Sequence, residues 1–207
     1  MRYRLALFDV DSTLTTTEAI DLLASFSEYG PEVASITESA MKGEIDFDTA
    51  LRKRVSLLSG LDVDVFNRVL SETTYSEGAR SLIDSLRSKG VAVGVVSGGF
   101  YEIVEPLFEG WGFDFIRANR LEYRGGKLTG KTAGEIINRA AKFQALTDFA
   151  SQAGVPISET VAIGDGSNDI EMVRGAGLGI SYRGKPALRQ IANEHVETLM
   201  EIERFFI

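Results

Sequence analysis

The sequence predicts an α/β fold, namely a doubly wound, Rossmann-like parallel sheet with an inserted α-helical bundle cap and a small β-hairpin. Short runs of consecutive apolar residues alternate with stretches of helical periodicity, which is typical of parallel strands connected by helices. Residues 15–75 interrupt this alternation, because they contain helical periodicity alone. A pair of glycines between two short extended segments indicates a hairpin.

Five apolar runs predict the strands of the sheet, since a strand that is buried on both faces is apolar at consecutive positions. The runs are residues 5–8, 91–96, 113–116, 161–163 and 178–180. One helix between them has apolar residues at i, i+3, i+4 and i+7 and ends before Gly90; its apolar positions are Ala79, Leu82, Ile83 and Leu86. Further helices are predicted at residues 100–108, 136–153 and 170–173.

Residues 15–75 predict three or four amphipathic helices and no strand. Their apolar positions fall into four groups, which are Ile20, Leu23 and Ala24; Val33, Ile36 and Ala40; Phe47, Leu51, Val55 and Leu58; and Val65, Phe66, Val69 and Leu70. We therefore expect a helical cap domain at residues 15–75, inserted into an α/β core domain made of residues 1–14 and 76–207. Hinges are expected near residues 15–17 and 73–76. The hairpin is expected on the core, at residues 123–128.

Composition and charge exclude several kinds of site and partner. The chain of 207 residues has 22 Lys and Arg, 30 Asp and Glu, one His and no Cys, and its net charge is −8. The negative charge argues against nucleic acid and anionic membranes as partners, since both reward basic residues. The absence of Cys excludes disulfides, thiolate zinc sites and a cysteine nucleophile. A single His argues against a histidine-rich metal site.

The chain has no apolar run long enough for a signal peptide or a membrane span, so we expect a cytoplasmic protein. We also expect a monomer or a homodimer without an appended regulatory domain, and hence no feedback control through such a domain.

Polar residues follow three of the predicted strands at the point where each strand ends. They are Asp9, Asp11, Ser97, Asp165 and Asp169. The carboxyl ends of parallel strands meet at one edge of the sheet, so we expect these side chains to lie together. A single Asp after a strand is equally typical of a turn or a helix cap, but three such strand ends together favour a site. Close carboxylates repel unless a cation joins them, and few protein ligands together with water and phosphate favour Mg²⁺ over Ca²⁺.

Four short motifs resemble those of the haloacid dehalogenase superfamily of phosphatases, in the same order over essentially the whole chain. They are residues 9–13 (DVDST), residues 97–100 (SGGF), Lys142 and residues 164–169 (GDGSND). The resemblance implies that Asp9 is a nucleophile forming an aspartyl-phosphate, and that Asp11 is the general acid and base, with a raised pKa. It also implies Mg²⁺ as the cofactor, held by Asp9, the backbone carbonyl of Asp11 and Asp165. Asp169 would support these ligands.

The same resemblance implies a set of groups that bind the phosphate. They are Ser97, Gly98, Gly99, Lys142 and Asn168, of which Asn168 either contacts the phosphate or orients Asp169. A serine nucleophile at position 97 is disfavoured, because the chain has no G-x-S-x-G elbow and no matching histidine. By itself, Lys142 is equally well explained as a solvated helix lysine, and the segment around it is less typical of the family.

Within that superfamily, the chain resembles the phosphoserine phosphatases at residues 9–13, 51–58 (LRKRVSLL), 97–100 and 118–121 (ANRL). This resemblance implies hydrolysis of O-phospho-L-serine in serine biosynthesis. It implies that Glu18 meets the substrate ammonium and Arg54 its carboxylate, and that Met41 and Phe47 are apolar cap residues that close over the substrate. A zwitterionic substrate needs one negative and one positive contact, and Arg can bind a carboxylate through two hydrogen bonds.

Simpler interpretations of these four residues stay open. Glu18 is also typical of an acid in the first turn of a helix, and Arg54 of an exposed cationic face. Met41 and Phe47 are equally typical of packing inside a helical cap.

Two other functions are also compatible with the motifs. The same nucleophile serves a phosphotransferase, or a phosphatase for another small metabolite. Non-catalytic binding of a phospho-ligand or metal is disfavoured, because binding alone does not need a nucleophile and an acid two residues apart. In each enzymatic case the partner is a small-molecule substrate.

Overall fold

A computed structural model describes residues 2–41 and 44–207, and the side chain of Met41 lies outside the described part. The strands are β1 (Leu5–Phe8), β2 (Ala92–Phe100), β3 (Phe115–Arg124), β4 (Lys127–Ala133), β5 (Thr160–Gly164), β6 (Leu178–Tyr182) and β7 (Glu194–Val196). They form a seven-stranded sheet in the order β4-β3-β2-β1-β5-β6-β7. Only β3 and β4 pair antiparallel. The predicted α/β fold is confirmed.

Helices connect the strands and form the inserted segment. In the described residues, the α-helices are α1 (Ala19–Ser25), α2 (Gly30–Met41), α3 (Phe47–Ser56), α4 (Val65–Glu72), α5 (Ala79–Ser88), α6 (Tyr101–Leu107), α7 (Arg139–Gln152), α8 (Ile170–Gly175) and α9 (Pro186–Arg189). The four that lie between β1 and α5 are the predicted cap helices.

The central strand shows why the predicted strands are apolar at every position. All of β1 is buried, and its side chains alternate between two apolar clusters. Leu5 and Leu7 share a cluster with residues of α7, whereas Ala6 and Phe8 share one with residues of α5. Helices therefore cover both faces of the sheet, which is the physical meaning of a doubly wound fold.

The β3–β4 hairpin is longer than the sequence predicts. Its turn is made by Gly125 and Gly126, whose φ angles of 59° and 78° are left-handed and favour glycine. The predicted hairpin covered residues 123–128 only, because the remaining positions of β3 and β4 are polar and poorly alternating. The hairpin is also bonded to the α3–α4 connection, since the N–H of Gly60 donates to the carbonyl of Leu128 at 2.8 Å.

Helices α1–α4 share an apolar cluster with the hairpin and with α6. The residues that they pack against include Phe100, Ile103, Leu121 and Leu128. The helices are thus held over the carboxyl edge of the sheet by side chains from the core and by the hairpin. The domain bounds at residues 15 and 75 stay a prediction, although Thr15 and Tyr75 form a β-bridge where the two connections meet.

Several element bounds differ from the predicted ones. Strand β2 continues through the 97–100 motif instead of ending at residue 96, because β3 follows it there across an irregular register between Ser97 and Phe100. The predicted strand at 113–116 begins at Phe115 instead, and the predicted helix at 136–153 begins at Arg139. Strand β7 was not predicted, because its three residues are mostly polar. None of the helices in the described ranges combines the length and hydropathy that a membrane span requires.

Candidate active site

Asp9 lies immediately after the carboxyl end of β1. Its backbone N–H donates to the carbonyl of Ile163 in β5 at 2.9 Å, so it is fixed beside the end of the neighbouring strand. The chain then turns, because the N–H groups of residues 13–15 all donate to the carbonyl of Val10. Asp9 is 3% exposed, and both it and Asp11 line one cavity. The first predicted strand end is therefore part of a site.

Helix α7 delivers Lys142 to the same place. The helix is capped by Asn138, whose side-chain oxygen accepts from the N–H of Ala141 at 3.1 Å. The next side chain, that of Lys142, is completely buried. Its Nζ donates to Oδ1 of Asp9 at 2.5 Å and to Oδ1 of Asp169 at 2.7 Å. The interpretation of Lys142 as a solvated helix lysine is wrong.

The buried charged groups shift one another's pKa values. Burial by itself lowers the pKa of Lys142, but Asp169 and Asp9 outweigh it, and the net shift is upward. Burial, and then the negative charge of Asp169, raise the pKa of Asp9 well above its ordinary value, while Lys142 opposes them. The ammonium of Lys142 is therefore retained, and one positive charge does not balance the carboxylates around it.

Asp169 holds the loop that follows β5. Its Oδ2 accepts from the N–H of Asp165 at 3.2 Å and from the N–H of Gly166 at 3.0 Å. A Cβ on Gly164 would lie 2.4 Å from the carboxyl carbon of Asp169, so only glycine permits this approach. Asp169 is completely buried and connects the loop to Lys142.

Three carboxylates converge at this edge and can hold a metal ion. One oxygen from each of Asp9, Asp165 and Asp169 lies within 4.8 Å of the others. Burial, and then Asp169, raise the pKa of Asp165 to about 6. The raised pKa values of Asp165 and Asp9 mean that both carboxylates lack sufficient positive charge nearby. A cation with oxygen ligands fits this deficit.

Asp11 is packed against the second motif. Burial, and then the charge of Glu18, raise the pKa of Asp11, while a hydrogen bond from the backbone N–H of Ala19 opposes them. The predicted upward shift is confirmed. A Cβ on Gly99 would lie 2.9 Å from Oδ2 of Asp11 and 3.0 Å from Oγ of Ser97, so glycine is needed at this position. The hydroxyl of Ser97 also accepts from the N–H of Gly99 at 2.8 Å.

The site opens into a cavity of about 480 Å³ between the sheet edge and the cap helices. Nine of the predicted site residues line it, namely Asp9, Asp11, Glu18, Phe47, Arg54, Gly98, Gly99, Asp165 and Asn168. Ser97, Lys142 and Asp169 are not on its wall and are completely buried. Met41 ends α2, and its side chain is outside the described part, so its predicted contact stays a prediction.

The cap contributes one acid and one base to this cavity. Glu18 precedes α1, and its Oε1 accepts from the hydroxyl of Ser12 at 3.0 Å. Arg54 lies on α3 and is only 7% exposed, so it is not part of an exposed cationic face. Phe47, the first residue of α3, approaches the second motif, since its ring lies 3.2 Å from the position of a Cβ on Gly98.

Comparison with known proteins identifies the family of this chain. The family described as haloacid dehalogenase-like hydrolase matches residues 6–174. This chain belongs to that family. It is 46% identical over 185 residues to the phosphoserine phosphatase of Streptococcus thermophilus, covering 89% of this chain and 86% of the relative. It is 49% identical over 193 residues to the phosphoserine phosphatase of Streptomyces coelicolor, covering 93% of this chain and 47% of the relative, so it spans about half the length of that protein.

A solved structure has the same fold. The structure described as a phospho-aspartyl intermediate analogue of phosphoserine phosphatase is 41% identical, with a TM-score of 0.93 and 99% of each chain covered.

Several residues around the cavity were not predicted from the sequence. Asn119 lies in the 118–121 segment, but its role was not predicted. Its Nδ2 donates to the carbonyl of Gly98 at 2.8 Å, and its Oδ1 accepts from the N–H of Ile137 at 2.7 Å. Asn119 therefore ties the second motif to the segment before α7. Lys185 also lies at the cavity, with Nζ 3.9 Å from Oδ2 of Asp165.

Thr37 and Arg139 line the cavity as well. No periodic or motif signal in the sequence singles out either of them.

Proposed function

We propose that this protein is a Mg²⁺-dependent phosphatase that hydrolyses O-phospho-L-serine to L-serine and phosphate through an aspartyl-phosphate, in serine biosynthesis. One observation carries the proposal. A single cavity contains the Asp9 and Asp11 pair together with one acidic and one basic side chain, Glu18 and Arg54. A phosphorylated amino acid needs all of these groups at once.

In the first step, a carboxylate oxygen of Asp9 attacks phosphorus while the bond from phosphorus to the serine oxygen breaks. Asp11 donates its proton to the leaving oxygen, and its raised pKa keeps that proton available. In the second step, Asp11 accepts a proton from water, the water oxygen attacks phosphorus, and the bond to Asp9 breaks. Phosphate leaves, and both aspartates return to their starting forms.

The phosphoryl oxygens gain charge during both steps and need hydrogen-bond donors. We assign this role to the hydroxyl of Ser97, the backbone N–H groups of Gly98 and Gly99, the side chain of Asn168 and the ammonium of Lys142. Lys142 is already bonded to Asp9, so its charge lies next to the attacking oxygen. Its second bond, to Asp169, holds it there.

Asp9, Asp165 and the backbone carbonyl of Asp11 would hold the Mg²⁺. The donor set is all oxygen, and the raised pKa of Asp165 is consistent with a site that is completed by a cation. When bound, the ion neutralises charge on the phosphoryl group. Asp169 keeps the 165–166 backbone in place through its two N–H contacts.

The cap groups select the rest of the substrate. We propose that Glu18 binds the substrate ammonium and that Arg54 binds the substrate carboxylate. A zwitterion requires one negative and one positive group in its binding site, and these two residues supply them. Phe47 covers the site from α3, and we assign the same covering role to Met41.

We also propose that residues 15–75 act as a movable cap domain on a core of residues 1–14 and 76–207. The two connections, residues 15–17 and 73–76, would be its hinges. They are paired, because the N–H of Thr16 donates to the carbonyl of Thr74 at 3.0 Å. We place the enzyme in the cytoplasm, as a monomer or a homodimer.

The test compares kcat/KM for phosphoserine with that for a panel of sugar phosphates and nucleotides, with Mg²⁺ present. We expect a clear preference for phosphoserine. Equal or better activity on the panel would overturn the substrate assignment and favour another small-metabolite phosphatase. Phosphoryl transfer to an added alcohol in place of water would favour a phosphotransferase.

A further inference from the structure

We propose that Thr37 is a positioning residue that holds the guanidinium of Arg54 in the cavity, and that it thereby sets the preference for phosphate esters that carry a carboxylate. The proposal rests on the proposed function and deepens it, because it names a specificity-determining residue outside the four motifs.

Thr37 and Arg54 meet inside the cap. Thr37 lies on α2 and Arg54 lies on α3. Both residues are buried, since Thr37 is 9% exposed and Arg54 is 7% exposed. Nη1 of Arg54 donates to Oγ1 of Thr37 at 3.1 Å. Nε of Arg54 donates to the carbonyl of Ala50, one turn earlier on α3, at 3.3 Å. These two bonds use two of the five N–H groups of the guanidinium and fix its plane between the two helices.

The proton of the Thr37 hydroxyl has its own acceptors, which are separate from Arg54. This proton can be donated to Oδ1 of Asp21 at 3.3 Å or to the carbonyl of Val33 at 3.1 Å. With either acceptor, Oγ1 of Thr37 keeps a lone pair with which it can accept from Nη1 of Arg54. Asp21 therefore reaches Arg54 through the hydroxyl. Burial lowers the pKa of Arg54, and the negative charges of Asp21 and Glu18 oppose that shift.

The Thr37 hydroxyl is an uncharged acceptor, and this suits the proposed role of Arg54 in binding a carboxylate. A carboxylate at position 37 would itself form the paired hydrogen bonds that the substrate needs, and it would compete with the substrate. A hydroxyl fixes the geometry and leaves the positive charge uncompensated at close range. An apolar side chain would leave buried N–H groups of Arg54 without this partner, which is unfavourable for a charged group.

Fixing Arg54 before the substrate binds also lowers the entropy cost of binding, because a free Arg side chain has many rotamers. The other basic residues at the cavity differ in this respect. Arg139 and Lys185 line the cavity but are exposed. Of these three residues, Arg54 is the buried one, and two hydrogen bonds fix its guanidinium. It is therefore the residue best suited to bind a carboxylate in a defined position.

The experiment measures KM and kcat of wild type, Thr37→Val and Thr37→Ser with phosphoserine and with p-nitrophenyl phosphate, which has no carboxylate. Valine matches threonine in shape but lacks the hydroxyl, whereas serine restores it. Ser35→Ala is the matched control, since Ser35 is an exposed residue on the same helix. Thr37→Ala is a second test if the valine variant does not fold.

We expect Thr37→Val to raise KM for phosphoserine about ten-fold, to change kcat by less than about two-fold, and to leave both constants for p-nitrophenyl phosphate unchanged. Thr37→Ser should recover the wild-type KM, and Ser35→Ala should match wild type. If wild type prefers phosphoserine and Thr37→Val keeps that preference, the role of Thr37 is overturned and the proposed function stands. If both substrates lose activity equally, the effect is structural and the role is also overturned. If wild type does not hydrolyse phosphoserine, both proposals fail.

Discussion

The amino nitrogen of Lys142 lies 2.7 Å from Oδ1 of Asp169, and both side chains are completely buried. The same amino group contacts Asp9, while the other oxygen of Asp169 holds the backbone after β5. Lys142 and Asp169 therefore link Asp9, helix α7 and the 164–169 motif.

Asp169→Asn should therefore lower both stability and activity. We expect a loss of about 2 kcal/mol in the free energy of unfolding, because Lys142 and the N–H groups of Asp165 and Gly166 lose a charged acceptor. Lys142 keeps Asp9 as a partner, so its charge does not become unpaired. Urea unfolding without metal measures this loss. Asp84→Asn is the matched control, because Asp84 makes an exposed pair with Arg80 at 2.8 Å, and such pairs contribute little. Equal effects of the two substitutions would contradict the account.

The affinity for Mg²⁺ should depend on pH. Burial raises the pKa of Asp165 to about 6, so protons compete with the metal below that pH. We expect Kd for Mg²⁺ to be about ten-fold weaker at about pH 5 than at about pH 7.5, as measured by calorimetry. Affinity that is the same at both pH values would show that Asp165 does not hold the ion.

Without metal, Asp165→Asn should stabilise the protein at neutral pH. The pKa of Asp165 is raised in the folded state, so the folded chain binds an extra proton between about pH 4 and pH 6, and stability falls as pH rises through that window. The neutral variant avoids this loss, and we expect it to be more stable by up to about 3 kcal/mol at about pH 7.5. The difference should fall below about 1 kcal/mol at about pH 4, because that pH is close to the unfolded-state pKa of an Asp. Chemical unfolding at the two pH values measures it, and a destabilised variant at neutral pH would be the opposite result.

Gly99→Ala should reduce turnover without unfolding the protein. The added Cβ would lie 2.9 Å from Oδ2 of Asp11 and 3.0 Å from Oγ of Ser97, so it displaces two groups assigned to the chemistry. We expect kcat to fall by about a hundred-fold, because small misplacement of reacting groups has effects of this size. Gly126→Ala is the control, since Gly126 lies in the hairpin turn with open space around it. Its φ of 78° predicts a stability loss of about 1 kcal/mol but an unchanged kcat.

The sequence predicted the site residues that follow directly from the parallel arrangement of the strands. Strand β1 is apolar at every position because helices cover both of its faces, and the parallel sheet then brings Asp9 and Asp165 to one edge. The raised pKa of Asp11 was also predicted from its implied role. The function of Met41 stays a prediction.

Contacts that depend on side-chain packing could not be predicted. Ser12 donates to Glu18 from a backbone with a φ of 60°, a conformation that few residues other than glycine adopt and that the sequence does not predict for a serine. The bond between Thr37 and Arg54 needs two cap helices at a particular spacing. Strand β2 was predicted too short because Gly98 and Gly99 are poor strand formers. In the structure, β3 pairs with Ser97 and Phe100 on either side of them, and Asn119 donates to the carbonyl of Gly98.

The proposed mechanism requires that Asp9 forms a covalent bond to phosphorus. The most direct test is rapid acid quenching of the enzyme during turnover of phosphoserine labelled in its phosphate, followed by mass spectrometry of the peptide that contains residues 9–13. We expect the label on Asp9 of the wild type and no label on residues 9–13 of the Asp9→Asn variant. Release of labelled phosphate with no label on the wild-type protein, or the same label on Asp9→Asn, would contradict the account.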